Sequence, residues 1–146
     1  MKLKSPAFEE NQLIPPIYTC DGDGISPPLE ILDAPTNAQS LALIMDDPDA
    51  PNGTFTHWLM WNIPPQTHEI AENNIPEGSE QGTNGAGQLG YLGACPPSGV
   101  HHYHFKLYSL NRKLNVTSNI SRSELEKEID GSTIEKCELV GTYSRQ

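Results

Sequence analysis

Two short apolar runs on either side of a proline-containing acidic segment constrain the fold of this chain most strongly. The first run, residues 41–45, leads into Asp47, and the second begins at His57. Pro48 and Pro51 lie between them, stop any helix and remove two backbone donors. Both runs therefore read as β-strands, and reversal of the chain between them would bring Asp47 and His57 together at one end of a sheet.

The second run shows a simple two-residue alternation. In a regular strand this alternation would place His57, Leu59 and Trp61 on one face. An acid at the end of one strand and a base at the start of the next then lie at the mouth of a core. This arrangement is the first indication of a small polar pocket.

Prolines and glycines punctuate the rest of the chain. Thirteen prolines and twelve glycines lie among short apolar runs in 146 residues. This pattern favours a turn-rich all-β protein over a helical bundle. The length is typical of one domain, so we expect a single domain over residues 1–146 with one core.

Acidic side chains outnumber basic ones, and the formal net charge is −10. Nucleic-acid binding relies on Lys and Arg that neutralise phosphates, so DNA and RNA are not expected partners. The charge also disfavours a broad grip on an anionic membrane, and no apolar window is long enough to predict stable insertion. One anion in a local pocket stays compatible with the composition, because near neighbours set the potential there.

The N-terminal segment and the cysteines predict a reduced, cytoplasmic protein. Residues 1–6 lack the apolar region of a signal peptide. Cys20, Cys95 and Cys137 are odd in number and form no CxxC pair, so neither a disulfide framework nor a zinc site of the usual kind is expected. We predict no cofactor.

Residues 100–110 form the clearest alternating strand in the sequence. His101 and Tyr103 share one face with Phe105 and Leu107. Since the last two are apolar, this face is predicted to point into the core. His101 and Tyr103 would then lie at the pocket end of a core-facing row.

The remaining elements are one loop, one helix and one strand. Residues 72–90 are rich in Gly, Asn and Gln and read as a long surface loop. Ser121 and Glu124 form a capping box that begins one helix, which Gly131 ends. Residues 133–143 return to strand character.

Asp47, His57, His101 and Tyr103, with the turn at 95–97, are candidates for one site. Imidazoles and a phenol can donate hydrogen bonds to an anion, and a turn bracketed by glycines can aim backbone N–H groups at it. An ionised Asp about 4 Å from the anion would oppose binding by about 4 kcal/mol at an effective dielectric near 20. We therefore expect Asp47 to orient and charge a histidine. The alternative is that Asp47 caps a turn and His57 is a satisfied core residue.

Two enzymatic readings compete with anion binding. Cys95 could act as a nucleophile with His57 or His101 as the base, which would make the protein a hydrolase. His102 and His104 lie two residues apart on one strand face, a workable spacing for two metal ligands and a metal-dependent enzyme. Lys106 follows on that face, which looks solvent-exposed, and no further ligand follows at a suitable spacing.

Four segments together resemble the phosphatidylethanolamine-binding protein family, which includes the Raf kinase inhibitor proteins. They span nearly the whole chain, and their order and spacing resemble the shorter bacterial and archaeal branch. The segments are Tyr18–Leu29, Asp46–Pro51 with the sequence DDPDAP, His57–Pro64, and Gly90–Phe105 with the sequence PPSGVHHYHF at its end.

The resemblance implies an antiparallel Greek-key β-sandwich with one short helix and an anion pocket at one end. In the family this pocket takes phosphate, a phosphorylethanolamine head group or similar anions. Carried over by position, the ligand-binding residues would be Asp47, Asp49, His57, the Cys95 amide, Pro96, Pro97, His101 and Tyr103.

The function implied is non-catalytic binding of an anion or of a phosphorylated side chain, with a role as inhibitor or scaffold for a kinase or protease partner. A homodimer is left open. Ala94 departs from a frequent proline and His102 from a frequent arginine. No counterpart of the mammalian C-terminal helix follows Tyr143, so the kinase partners of mammalian members are not expected to carry over.

Overall fold

Two antiparallel sheets face each other and contain most of the residues in regular secondary structure. The computed structural model describes residues 1–146. The strands are β1 (Lys2–Lys4), β2 (Leu29–Leu32), β3 (Ser40–Asp47), β4 (Phe55–Ile63), β5 (Glu69–Ile70), β6 (Glu80–Gln81), β7 (His101–Leu110) and β8 (Thr133–Tyr143). A 3-10 turn covers Pro16–Tyr18, and one helix, α1, covers Arg122–Asp130. The smaller sheet has the order β1–β2–β5 and the larger one β6–β4–β3–β7–β8. The predicted antiparallel β-sandwich with one short helix is confirmed.

Strand β3 is the centre of the larger sheet and is buried along its whole length. Leu41, Leu43 and Met45 point into the core between the two sheets. Ala42 and Ile44 point to the opposite face, which α1 covers. Because both faces are covered, the strand is a continuous apolar run rather than an alternating one.

Helix α1 begins and ends where the sequence predicts. The Ser121 hydroxyl accepts the backbone N–H of Glu124 at 3.2 Å and lies 3.0 Å from the Glu124 carboxylate. Leu125 and Ile129 are its buried residues and pack against Trp61 on the sheet. The helix thereby covers the second face of the larger sheet.

Residues 72–90, predicted to be one long surface loop, contain the short strand β6. Gln81 pairs with Met60 in β4, and its side-chain oxygen accepts the Trp58 indole N–H at 2.7 Å. A strand of only two residues has no periodicity to detect, which explains why β6 escapes prediction. No helix has both the length and the apolar character needed to cross a bilayer.

Candidate functional site

Strand alternation at the end of β3 sends two neighbouring carboxylates to opposite faces of the larger sheet. Asp46 lies on the helix side, where it accepts hydrogen bonds from Arg122 at 2.6 Å and Lys106 at 3.0 Å. Asp47 lies on the other side and lines a cavity at the end of the sandwich. Only the second carboxylate is therefore available to the candidate site.

A β-bulge in β4 turns His57 toward the same cavity. Met45 pairs with Trp58 and Asp46 pairs with Thr56, so His57 has no residue opposite it. A bulge of this kind re-aims a side chain at the end of a strand. The prediction that His57 shares a face with Leu59 and Trp61 is therefore wrong, since those two pack under α1.

Aromatic contacts fix the new position of His57. Its ring centroid lies 5.2 Å from that of Tyr103 and 5.0 Å from that of Phe55, both in edge-on arrangements. The phenol of Tyr103 comes from the inward face of β7, as predicted. The bulge thus brings together residues from β4 and β7, across the central strand β3.

His101 is paired directly with Asp47. Its Nδ1 lies 2.6 Å from Asp47 Oδ2, and both side chains are almost fully buried. Since a carboxylate can only accept, Nδ1 carries the hydrogen and Nε2 is left without a partner in the chain. The expectation that Asp47 orients a histidine agrees with this geometry, and the histidine concerned is His101.

A hydrogen bond from the Nδ1 atom also holds the His57 ring in place. Nδ1 lies 2.8 Å from the carbonyl oxygen of Leu92, so Nδ1 donates and Nε2 is the free atom. Burial lowers the pKa of His57 below its ordinary value, although the Leu92 carbonyl and the charge of Asp47 oppose part of the shift. The imidazole is thus biased to the neutral form while the cavity holds no anion.

The Tyr103 hydroxyl is buried and lacks a hydrogen-bond partner in the chain. Burial first, and then the charge of Asp47, raise the pKa of Tyr103, so the phenol stays protonated. The Cys95 amide faces this oxygen and opposes part of the rise, without the geometry of a full hydrogen bond. A buried polar group left unpaired in this way usually marks a place for water or ligand.

The cavity that these residues surround has a volume of about 580 Å³. Of the eight predicted site residues, Asp47, His57, Cys95, Pro97, His101 and Tyr103 line it, whereas Asp49 and Pro96 do not. Sequence reasoning from chemistry missed the rest of its wall. That wall comprises Thr19, Cys20, Gly22, Asp23, Gly24, Ala50, Pro51, Phe55, Gln88, Tyr91, Leu92 and Gly93. Several of these lie in the segments that carry the family resemblance, which was the available signal.

Asp49 supports the loop that overhangs the cavity. Its carboxylate accepts the His102 backbone N–H at 2.9 Å and lies 2.7 Å from His102 Nδ1. Asp47 Oδ1 in turn accepts the Asp49 N–H at 2.8 Å, so Asp47 does cap a turn as well as hold a histidine. The two readings of Asp47 left open by the sequence are compatible.

The cysteines correct two expectations. Cys20 and Cys95 form a disulfide across 75 residues, and only Cys137 is free. No local pattern in the sequence predicts this pairing, because it depends on two loops meeting at the cavity. Cys95 is therefore not a free thiol that could serve as a nucleophile in this structure, and the chain is not the fully reduced one expected.

The histidine pair on the outer face of β7 is engaged in separate contacts. His102 meets Asp49, and His104 lies 3.3 Å from Glu138. No group of three or more His, Cys, Asp or Glu side chains is arranged to hold a metal ion.

Comparison with known proteins identifies the family. The family model described as phosphatidylethanolamine-binding protein matches residues 4–144. A UPF0098 protein of Pyrococcus horikoshii is 52% identical over 100% of this chain and 78% of its own length. A UPF0098 protein of Methanothermobacter thermautotrophicus is 46% identical over 99% of both chains.

Solved structures agree with this assignment. A phosphatidylethanolamine-binding protein homologue from Chlamydia trachomatis superposes with a TM-score of 0.94 at 39% identity, covering 99% of this chain and 97% of the other. Escherichia coli YbcL, described as a member of the mammalian family, gives 0.92 at 28% identity, covering 99% and 98%. The chain belongs to the phosphatidylethanolamine-binding protein family.

Proposed function

We propose that the cavity binds a small anion or the phosphate group of a larger ligand, such as a phosphorylethanolamine-like head group or a phosphorylated side chain. The observation that carries this proposal is the convergence of three unused hydrogen-bonding atoms on one cavity. They are Nε2 of His57, Nε2 of His101 and the Tyr103 hydroxyl, of which the last is buried and unpaired.

Protonation of a histidine favours an anion in the cavity, against the two carboxylates of its lining, Asp47 and Asp23. A protonated His101 neutralises Asp47 at 2.6 Å and presents Nε2–H as a donor. The Tyr103 hydroxyl supplies a second donor that keeps its proton, because its pKa is raised. Nε2 of His57 becomes a third donor if the ring gains a proton. In the neutral ring, Nε2 instead accepts a hydrogen bond from a ligand O–H, such as that of a phosphate monoanion.

The cavity is much larger than a phosphate ion. Its volume of about 580 Å³ lies in the range of organic-ligand pockets. Phe55, Leu92, Pro51 and Pro97 add apolar surface to the lining. We therefore infer a ligand that places a phosphate on the imidazoles and an organic substituent on the apolar part of the wall.

The proposal is one of binding without catalysis. Its support is that Cys95, the nucleophile of the competing hydrolase hypothesis, is bonded to Cys20. Slow labelling by a thiol-reactive probe, confined to Cys137, is the expected result. An inhibitor or scaffold role toward a kinase or protease stays a prediction, and requires a partner side chain whose phosphate enters the cavity.

Chemical-shift mapping tests the proposal directly. Sulfate, phosphorylethanolamine and a phosphoserine peptide are titrated into the labelled protein, and shifts are expected at the amides around His57, Cys95 and His101. His57→Ala should weaken sulfate binding at least tenfold while the β-sheet amides keep their positions. His104→Ala is the matched control, because His104 lies on the outer face of the same sheet. Absence of shifts at millimolar sulfate would overturn the proposal.

A further inference from the structure

We propose that the Cys20–Cys95 disulfide is a redox-exchangeable bond that controls the anion affinity of the cavity. Opening it by a thiol reductant weakens anion binding, and a bound anion protects it from reduction. The inference rests on the proposed function and assigns a site of modification to the same cavity. It follows from the exposure of the bond, from what the bond holds in place and from linkage between the two events.

The bond is open to attack by a thiolate. Both cysteines are exposed, and both line the cavity at its mouth. Disulfides in exposed positions are the ones that exchange with thiols under mild conditions. Cys137, by contrast, is partly buried, and burial raises the pKa of its thiol.

The bond holds a segment that little else restrains. Residues 95–100 take part in no hydrogen bond with the rest of the chain, and Pro96 and Pro97 have no N–H to offer. Pro96 is buried and provides packing contact. The disulfide is the strong attachment of a turn whose first amide faces the Tyr103 hydroxyl.

The neighbouring wall keeps its own hydrogen bonds when the disulfide opens. The Cys20 N–H donates to the Ala94 carbonyl at 3.1 Å, and the Tyr91 hydroxyl donates to the Tyr18 carbonyl at 2.6 Å. In both bonds the residue from the later segment of the chain, Ala94 or Tyr91, precedes Cys95. Reduction therefore frees the 95–100 turn and leaves the sandwich folded.

The chemical step is ordinary thiol–disulfide exchange. A thiolate of a glutathione-type monothiol attacks one sulfur of the pair, forms a mixed disulfide and releases the other cysteine as a thiolate. A second monothiol then releases the remaining cysteine and leaves as the oxidised monothiol disulfide. Two electrons pass to Cys20 and Cys95, and the two protons of the monothiols end on the cysteine sulfurs.

Linkage makes the effect reciprocal. If the oxidised protein binds an anion more tightly than the reduced protein by some factor, the anion must shift the oxidation equilibrium by the same factor. This gives two independent measurements of one quantity. A disulfide with a purely structural role distant from the ligand would give a factor of one in both.

The experiment compares sulfate binding by calorimetry in the oxidised protein and in the protein reduced by dithiothreitol, at constant pH and ionic strength. We expect reduction to weaken binding about fivefold or more, the usual lower range of coupling between two sites. The double variant Cys20→Ala/Cys95→Ala should resemble the reduced protein, and Cys137→Ala the oxidised one. Reduction of the disulfide by glutathione, measured by mass spectrometry with and without saturating sulfate, gives the reduction equilibrium in each case. Saturating sulfate should shift the midpoint of this reduction, expressed as the ratio of squared reduced to oxidised glutathione, by the same factor as the change in sulfate affinity.

Backbone amide spectra keep the result interpretable if the double variant does not fold. Shifts on reduction of the wild-type chain should be confined to residues 16–24 and 91–101. Equal affinity in the two states, or a bond that no thiol opens without denaturant, overturns the inference and leaves the proposed function standing. Failure of the oxidised protein to bind sulfate, in contrast, overturns the proposed function and the inference with it.

Discussion

The Nδ1 atom of His101 lies 2.6 Å from Oδ2 of Asp47, with side-chain exposures of 8% and 5%. Such a pair is weak as evidence for stability, because the cost of removing the carboxylate and the imidazole from water offsets much of their attraction. Its geometry instead fixes which ring nitrogen of His101 is left for a ligand. The role that this pair serves is therefore tested by binding more sharply than by stability.

The sign of the Asp47→Asn effect on sulfate binding should depend on His101. In the wild-type chain the substitution removes the carboxylate that orients the imidazole, so affinity should fall. In the His101→Ala background the carboxylate only repels the anion, so the same substitution should raise affinity. Isothermal titration of the four proteins gives the coupling energy, for which contacting residues usually show about 0.5–3 kcal/mol. The same sign in both backgrounds would contradict the assigned role of Asp47.

Tyr103→Phe should stabilise the free protein and weaken its binding. The substitution removes a buried hydroxyl without a partner and keeps the ring that packs on His57. An unpaired buried polar group costs about 1–3 kcal/mol, so the free energy of unfolding should rise by about 1 kcal/mol. Affinity for sulfate should fall about tenfold, since a hydrogen bond to a charged group is lost. Chemical denaturation and calorimetry measure the two effects, and a variant that loses both stability and affinity would point to a structural role.

Sulfate affinity should increase as the pH falls. Burial lowers the pKa of His57 in the free protein, and a bound anion favours the protonated ring, so binding takes up a proton. The dissociation constant should therefore decrease from pH 8 to pH 6 and continue to decrease below pH 6, by about tenfold per pH unit at most for one proton. His57→Gln should lose the part of this slope below pH 6.5, whereas His104→Ala should keep it. A flat profile in the wild-type chain would exclude a protonated histidine as the counter-ion.

Local patterns in the sequence predict the main elements because each has its own signal. Alternation marks β7, where Tyr103 and Phe105 are fully buried, and the capping box at Ser121 marks the start of α1. Chemistry alone also selects Asp47, His57, His101 and Tyr103, which the structure places around one cavity. Each of these signals lies within a few neighbouring residues, so it does not depend on contacts with distant parts of the chain.

Features that depend on tertiary contacts were not predictable in this way. The orientation of His57 requires the bulge, in which register with β3 overrides simple alternation. The Cys20–Cys95 bond requires two loops 75 residues apart to meet. Neither follows from spacing in one strand, so the alternation argument misplaced His57 and the cysteine count gave the wrong redox state.

Arg122→Gln should destabilise the fold more than a comparable surface substitution. Arg122 donates to the buried Asp46 at 2.6 Å, and its removal leaves that carboxylate with Lys106 alone. Loss of one partner of a buried pair costs about 3–5 kcal/mol, and we expect the lower end because Lys106 remains. Arg145→Gln is the matched control, since Arg145 is exposed, pairs with Asp21 at 3.8 Å and should cost less than about 1 kcal/mol. Equal losses in urea denaturation would show that Asp46 does not anchor α1.

Asp49→Ala should weaken sulfate binding more than it weakens the fold. The Asp49 carboxylate holds the loop whose Ala50 and Pro51 line the cavity, but its contact with His102 is half exposed and should contribute less than about 1 kcal/mol of stability. The hydrogen bond from the His102 side chain, and then the one from its backbone, lower the pKa of Asp49. This contribution is therefore present above the ordinary Asp pKa of about 3.9 and is lost as the pH falls through the lower value in the folded state.

Unfolding experiments at neutral pH and near pH 3 test this pH dependence. The difference in the free energy of unfolding between wild type and Asp49→Ala should shrink in acid. His102→Ala keeps the backbone N–H and should lose only the side-chain part of the effect, while His102→Arg should keep a charged partner for the Asp49 carboxylate. A several-fold loss of sulfate affinity in Asp49→Ala, with a smaller loss in His102→Ala, would locate the effect in the loop. Unchanged affinity in Asp49→Ala would mean that the loop holds its position over the cavity without this contact.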